Sequence, residues 1–331
     1  MIGRDSTPTH RIVCKAALAA ALFALAAPAA HAQSYPNKSV SIIIPFGPGG
    51  MADTTSRLVA EKLGEKLGQR FIIENKPGAG GITAGRAALA APADGYTLAL
   101  ITNGNAISVP LFKSLPFDPV KDFVPISLVG SFDCLFVANG ESQYRTLQDI
   151  IKAAKEQPGK LNVGVINPGS TQHLTAELFK SMAGVDVVLV TFRTSPEAVI
   201  ALLRNDVQMV IDFLPALKGA LSDGKIRPLA WSGPQPFPSM PNVPTVQQSG
   251  VPGFEVISWN SLSAPAGTPP AVLETLNKAL REVLADPDLK KRALDVGIDI
   301  KASAPADVTA RLRADIEKWA KVIERAGIQK Q

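Results

Sequence analysis

The feature that most constrains this chain is a design that recurs along it: a short β-branched run, a glycine-rich break, then a helical pattern. The run Val40, Ile42, Ile43 and Ile44 reads as a strand buried on both faces, the kind found in parallel sheets. It breaks at Pro45-Phe46-Gly47-Pro48-Gly49-Gly50 and resumes as a helix with apolar positions at Leu58 or Val59, Leu63 and Leu67, closed by Gly68. Phe71 to Asn75 followed by Lys76-Pro77-Gly78-Ala79-Gly80-Gly81 and a small-residue helix from Ile82 repeats the design. Tyr96 to Ile101 with Thr102-Asn103-Gly104-Asn105 begins a third unit. Consecutive β–loop–α units predict a parallel sheet with right-handed crossovers, and in such sheets ligands bind beyond the carboxyl ends of the strands.

Later stretches continue the pattern. Thr146 to Gln157 reads as a helix. Leu161 to Val165, the loop Asn167 to Gln172 and a helix from His173 to Met182 form another unit. Val185 to Phe192 reads as a buried strand, followed by a helix from Pro196 to Arg204 and strands at Val207 to Phe213 and Ile226 to Ser232. Pro110 to Pro125 is proline-punctuated and reads as irregular, and Ile126 to Ala138 as a pair of strands crossing into a second domain. The last helix, opened by Pro305, carries an apolar stripe at Val308, Leu312, Ile316, Ala320 and Ile323. The expected organisation is a leader over 1–32, one domain from 33–134 with 256–331, and a second over 135–255.

The leader follows from basic residues (Arg4, Arg11, Lys15), an apolar run from Ala16 to Ala27 too short to span a membrane, and Ala30-His31-Ala32 as a cleavage site. An exported protein is therefore expected. The formal net charge of +5 is modest and falls further once the leader is removed; no basic cluster is interleaved with aromatics, so a nucleic-acid partner is not expected. After the leader Cys134 and His173 are single, which leaves neither a disulfide nor a Cys/His metal cluster. No metal and no cofactor are expected.

Two catalytic readings compete with simple binding. Gly47-x-Gly49-x-x-Ala52, with Glu74 ending the next strand, fits the dinucleotide fingerprint, but Pro48 stiffens the turn that must approach a pyrophosphate. A hydrolytic triad would have to use His173, beside Ser170 and Thr171, with Asp212 as the carboxylate; no Gly-x-Ser-x-Gly elbow accompanies it. What the sequence does offer is several loops rich in backbone N–H groups at helix starts and few ionisable groups. That arrangement suits reversible capture of a small anion better than catalysis, which needs a tuned acid, base or nucleophile.

The ordered set Tyr35-Pro36, Pro45-Phe46-x-Pro48-Gly49-Gly50-x-x-Asp53 with Arg57, Glu74 to Gly81, and Pro92-x-Asp94-Gly95-Tyr96-Thr97 carries a resemblance. So do Asp212, Pro241-Asn242-Val243-Pro244-Thr245, Val251-Pro252-Gly253-Phe254, Trp259 and Ala264 to Pro269. Together they resemble the Bug family, the periplasmic solute-binding proteins of tripartite tricarboxylate transporters. The resemblance implies an α/β, two-domain, type II periplasmic-binding-protein fold that closes on a small carboxylate: a di- or tricarboxylate, an acidic amino acid or an aromatic acid. It also implies a two-subunit membrane permease, or a sensor protein, as partner to a monomeric receptor, and no enzymatic activity.

Carried onto this chain, the ligand-gripping loops are Gly47 to Asp53 and Gly78 to Gly81, with the segments around Thr102-Asn103, Ser170-Thr171-His173 and Asp212 completing the pocket. The expected contacts are Phe46, Gly47, Gly49, Gly50, Met51, Asp53, Ala79, Gly80, Gly81, Thr102, Asn103, Ser170, Thr171, His173, Arg193 and Asp212. Asp53 also reads as a first-turn acid complementing a helix dipole, and Trp231, Trp259 and Trp319 as core. The family's usual Pro-Tyr-Lys-Gly-Gly is here Thr191-Phe192-Arg193-Thr194-Ser195, and Gly47 and Met51 replace a proline and a glycine. Both departures fall where the far end of a ligand would be read. A receptor serving signalling alone and an exported hydrolase using His173 are the alternatives.

Overall fold

In a computed structural model, residues 35–331 are described; the leader, with its cleavage near Ala32, lies outside them. A nine-stranded sheet runs in the order β2-β1-β3-β9-β4-β7-β5-β6, with β8 paired to β4. The strands are β1 (Val40–Ile44), β2 (Phe71–Asn75), β3 (Thr97–Thr102), β4 (Phe123–Asn139), β5 (Asn162–Ile166), β6 (Val188–Phe192), β7 (Met209–Phe213), β8 (Ile226–Trp231) and β9 (Ile257–Pro265). The helices are α1 (Met51–Leu67), α2 (Ile82–Leu89), α3 (Asn103–Leu111), α4 (Leu147–Glu156), α5 (Thr171–Ala183), α6 (Ser195–Leu203), α7 (Leu214–Ser222), α8 (Pro270–Val283), α9 (Pro287–Leu294) and α10 (Pro305–Arg325).

The repeated strand–break–helix design produces two halves of the same topology. β1 lies between β2 and β3, parallel to both, and β5 lies between β6 and β7, again parallel to both. Each triplet is flanked by an antiparallel strand, β9 beside β3 and β4 beside β7. In the first half each strand feeds the helix that follows it: β1 into α1, β2 into α2, β3 into α3. The second half does the same with β5, β6 and β7 into α5, α6 and α7. The fold is thus the two-domain α/β binding-protein type.

β4 joins the halves. Its first part, Phe123 to Asp133, pairs with β9, and its second, Cys134 to Asn139, pairs with β7 and β8. The sequence suggests two strands here because Pro125 and Gly130 interrupt the apolar run; the structure absorbs both as register shifts within one strand. Three other expectations change. Pro110 sits in the last turn of α3 instead of opening an irregular segment. β6 is shorter than its apolar run and only partly buried, because it is an edge strand. β9 has no clear signature in its Ser-rich sequence, yet it is buried along nearly its whole length.

Helix ends follow sequence rules. Gly68 adopts the left-handed conformation and caps α1 through its N–H to the Gly64 carbonyl, as a C-terminal glycine should. Thr146 caps α4 with a reciprocal Asp149 contact. α10 carries Val308, Leu312, Trp319 and Ile323 into the core. Trp231, Trp259 and Trp319 are all fully buried, as core residues.

Candidate functional site

The carboxyl ends of the two parallel triplets meet at a cavity of about 880 Å³, a size suited to a small molecule. Six helix N-termini form its wall. Gly50 and Met51 come from α1, Gly81 from the start of α2, and Thr102 and Gly104 from α3. Ser170 and Thr171 come from α5, Ser195 from α6, and Phe213 and Pro215 from α7. The first turn of a helix has N–H groups without intrahelical partners and the positive end of its dipole. The N-cap residues of α1, α2, α6 and α7 provide no side-chain cap. Pro196 and Pro215 have no N–H and Asp212 accepts the Phe213 N–H, so the glycine-led starts of α1 and α2 offer the freest donors. Among the described lining residues no Lys, Arg or His side chain contributes. The groups of this wall that attract an anion are therefore backbone N–H groups and not basic side chains.

The first loop is held rigid from behind. Asp53 is buried and its Oδ2 accepts the Gly49 N–H (2.9 Å) and Arg57 Nε (2.9 Å), while Oδ1 accepts Asn75 Nδ2 (3.0 Å). Asn75 Nδ2 also donates to the Phe46 carbonyl at 2.9 Å. Burial works against the Asp53 charge, but Arg57, the Gly49 N–H and Asn75 outweigh it and hold the carboxyl below its usual range. Asp53 thus acts as a brace behind the loop. Phe46 is half exposed at the cavity, with its ring edge beside Gly104.

The second loop is a short turn, Ala79–Gly81, in which Gly80 and Gly81 have positive φ (62° and 71°). A Cβ on Gly81 would lie 3.1 Å from Asn105 Nδ2. Asn105 Oδ1 accepts the Thr102 N–H (2.9 Å), and Thr102 Oγ1 accepts the Gly104 N–H (3.1 Å). This capping box fixes α3 beside the glycine turn.

On the opposite wall Ser170 caps α5 by accepting the His173 N–H and donates its hydroxyl to the Ile166 carbonyl. Asp212 is 1% exposed. Its Oδ1 accepts Gln172 Nε2 (3.0 Å) and the Phe213 N–H (2.8 Å), while its buried Oδ2 has no hydrogen-bond partner. Burial pushes this carboxyl up from its ordinary value. Asn260 on β9, opposite Thr102, also lines the cavity and has a buried Nδ2 without a partner.

Of the sequence-expected contacts, Phe46, Gly47, Gly49, Gly50, Met51, Gly80, Gly81, Thr102, Ser170, Thr171 and Asp212 line one cavity. Asp53, Asn103, His173 and Arg193 are not among its described lining residues, and the side chain of Ala79 lies outside the described ones. Asn103 is fully buried between Thr171 Oγ1 (3.0 Å) and Trp319 Nε1 (2.9 Å). Arg193 is exposed, and the position that does reach the cavity from its segment is Ser195. His173 is buried, with Nδ1 accepting the Gly169 N–H (3.4 Å) and Nε2 4.0 Å from Glu177; burial lowers its pKa. Ser170 and Asp212 direct their hydrogen bonds elsewhere, so no nucleophile–base–carboxylate relay is assembled around His173. Ser195 lies in the departing segment that the sequence assigns to the far end of a ligand, whereas Gln172, Asn105 and Asn260 escape the list of expected contacts. Asn105 and Gln172 are adjacent to expected residues, whereas Asn260 reaches the site only through strand pairing.

Residues 55–328 match the family model described as "Tripartite tricarboxylate transporter family receptor". Protein BugT of Bordetella pertussis is 31% identical over 305 residues, 92% of this chain and 93% of its own length. A solved R. palustris protein, Rpa4515, with adipate is 34% identical at a TM-score of 0.80, covering 89% of this chain and 99% of that one. MatC from Rhodopseudomonas palustris with bound malate is 30% identical at a TM-score of 0.74, covering 87% and 100%.

Proposed function

This chain belongs to the tripartite tricarboxylate transporter receptor family, and on that premise we propose that it captures a small carboxylate and does not turn it over. The observation that carries the reading is the cavity itself: six helix N-termini, four without side-chain caps, and no basic side chain among its described lining residues. Such a wall favours an anion small enough for several N–H groups to reach. The adipate and malate held by relatives support a carboxylate of that size. The glycine loops at Gly47–Gly50 and Gly80–Gly81 grip one carboxylate, with Thr102 and Asn260 beside them. Ser170, Thr171, Ser195 and Asp212 read the rest of the molecule from the other side.

In this reading the protein is exported after cleavage near Ala32, works as a monomer and hands its solute to a two-subunit membrane permease. The lobes are 33–134 with 256–331, and 135–255, which swing about β4 and the chain entering β9. A thermal-shift screen tests the ligand class. One or more small carboxylates should stabilise the protein by about 2.7 kcal/mol at a hundredfold excess over Kd, and their methyl esters should not. Stabilisation by neutral sugars or nucleotides alone would overturn the reading.

A further inference from the structure

Asp212 ends β7 in the cavity wall, and its hydrogen bonds are one-sided. Oδ1 takes two donors, Gln172 Nε2 and the Phe213 N–H, while Oδ2, set in the cavity wall, takes none. A buried ionised carboxylate is stable when both oxygens accept hydrogen bonds or face a cation. One accepting oxygen and one bare oxygen is instead the pattern of an un-ionised acid, whose carbonyl oxygen accepts and whose hydroxyl waits to donate.

The surroundings agree. Asp212 has the one ionisable side chain among the described residues lining the cavity. On β4 its register partner is Leu135, and the neighbouring Cys134 thiol is fully buried and held neutral. Asp133, further along β4, packs on Gly233. On α5 His173 and Glu177 face each other, on α6 Glu197 accepts the Arg193 N–H, and on α7 Lys218 donates to the Asp295 carbonyl. β5 contributes no charged residue. None of these charges counters the burial of Asp212. The opposition comes from Ser195, Gln172 and the Phe213 N–H, and Ser195 makes no hydrogen bond of ordinary length to Oδ2.

We propose that Asp212 receives the far carboxylate of a dicarboxylate ligand as an un-ionised acid, donating its Oδ2 proton to it, so that capture takes up one proton from solvent wherever free Asp212 is ionised. The positive helix ends around the cavity favour a second anion over an ammonium group at this position. Two bare carboxylates in contact repel; a shared proton turns the pair into a charge-assisted hydrogen bond.

The inference rests on the carboxylate-capture reading but fails separately from it. Succinate and adipate serve as probes, with butyrate as the single-carboxylate control. Calorimetry in buffers of differing ionisation enthalpy, between about pH 6.5 and 9, lies above the range in which simple carboxyls titrate. Dicarboxylate affinity should fall by up to about tenfold per pH unit over part of that range, with up to one proton taken up. Butyrate affinity should stay flat. Asp212→Asn keeps Oδ1 for Gln172 and Phe213 and presents an amide donor where Oδ2 stood. It should therefore bind the dicarboxylates with no pH dependence and no proton uptake.

If the dicarboxylates bind wild type with flat affinity and no proton uptake, the inference is overturned while carboxylate capture stands. A variant that folds by circular dichroism but keeps the wild-type pH dependence overturns it equally. If no carboxylate binds, the functional reading itself fails.

Discussion

At the scale of single residues, the glycines of the anion loops separate into two kinds. Gly81 has φ +71° and a Cβ there would crowd Asn105 Nδ2, so any substitution strains the backbone and shifts a neighbour at once. Gly50 has φ −80°, and a Cβ there would meet nothing within 4 Å. The one local preference for glycine at position 50 is a modest one, as the N-cap of α1; a carboxylate held against the backbone would be a stronger one. Gly50→Ala should leave the melting temperature of the free protein within about a degree, since no contact or strain is introduced. It should weaken carboxylate binding by about tenfold or more. Equal loss of stability in the free protein would show that the position is structural. Gly81→Ala, by contrast, should cost about 1 kcal/mol of stability before any ligand is added, read as a lower urea midpoint.

Asp133 gives a residue-scale prediction away from the cavity. Burial, then the like charges of Asp299 and Glu255, push its carboxyl up to about 7 against the pull of Arg311. A carboxyl raised in the folded state stays protonated there while the unfolded chain has already ionised. Its contribution to stability therefore declines as pH rises from about 4 to about 7 and is flat above. Asp133→Asn removes that decline. Chemical denaturation should show the variant more stable than wild type at about pH 8, by on the order of 2 kcal/mol, with a smaller difference near pH 5. An equal effect at both values would mean that packing, not charge, governs the site.

At the scale of elements, loop 45–50 depends on a brace it does not contain. Asp53, Arg57 and Asn75 form one network behind it, tying α1 and the end of β2 to the Gly49 N–H and the Phe46 carbonyl. Asp53→Ala removes the acceptor shared by Gly49 and Arg57. It should destabilise the protein by about 1–3 kcal/mol, as loss of a buried charge-assisted network does. It should also loosen the carboxylate grip, visible as faster hydrogen exchange in residues 46–50 together with a raised Kd.

How much of this was readable in advance follows from distance along the chain. The glycine loops, the helix starts at Ser170 and Thr146, and the Gly68 cap depend on residues a few places away, and the sequence announces them. From the sequence Asp53 reads as a ligand contact or as a first-turn acid; its place behind the loop, outside the cavity lining, depends on Asn75, which arrives from a different strand. Asn260 was not visible at all. β9 reads Ile-Ser-Trp-Asn-Ser-Leu-Ser-Ala-Pro, with polar residues that a buried strand rarely carries. Only its pairing with β3 on one side and β4 on the other brings Asn260 to the cavity. The edge position of β6 is likewise a property of the assembled sheet, which a run of valines and leucines cannot reveal.

At the scale of the whole molecule, two lobes of like topology share the sheet through β4. Ligand gripped from both sides should hold them together, as hinge-type binding proteins do. Small-angle scattering with and without a ligand found in the screen should show a smaller radius of gyration when it is bound. An unchanged radius, with binding confirmed by calorimetry, would argue against the hinge.

The buried hydrogen bond from Asn103 Nδ2 to Thr171 Oγ1 links α3 of one lobe to α5 of the other. Thr171 belongs to the cavity lining but Asn103 does not, so in a hinged receptor Asn103 would bias closure from a position that touches no solute. Apparent affinity scales with the fraction of molecules already competent to bind. A bond of this kind, worth about 1 kcal/mol, would change that fraction roughly fivefold where the closed state is the minor one. Asn103→Ala removes the link without changing a cavity-lining side chain, at the cost of the Trp319 contact. Such a change would retune how scarce a nutrient the receptor responds to, while every group that recognises the nutrient stays as it was. Sensitivity and selectivity would thus be adjustable by separate mutations, giving a lineage a way to follow changing supply without changing diet.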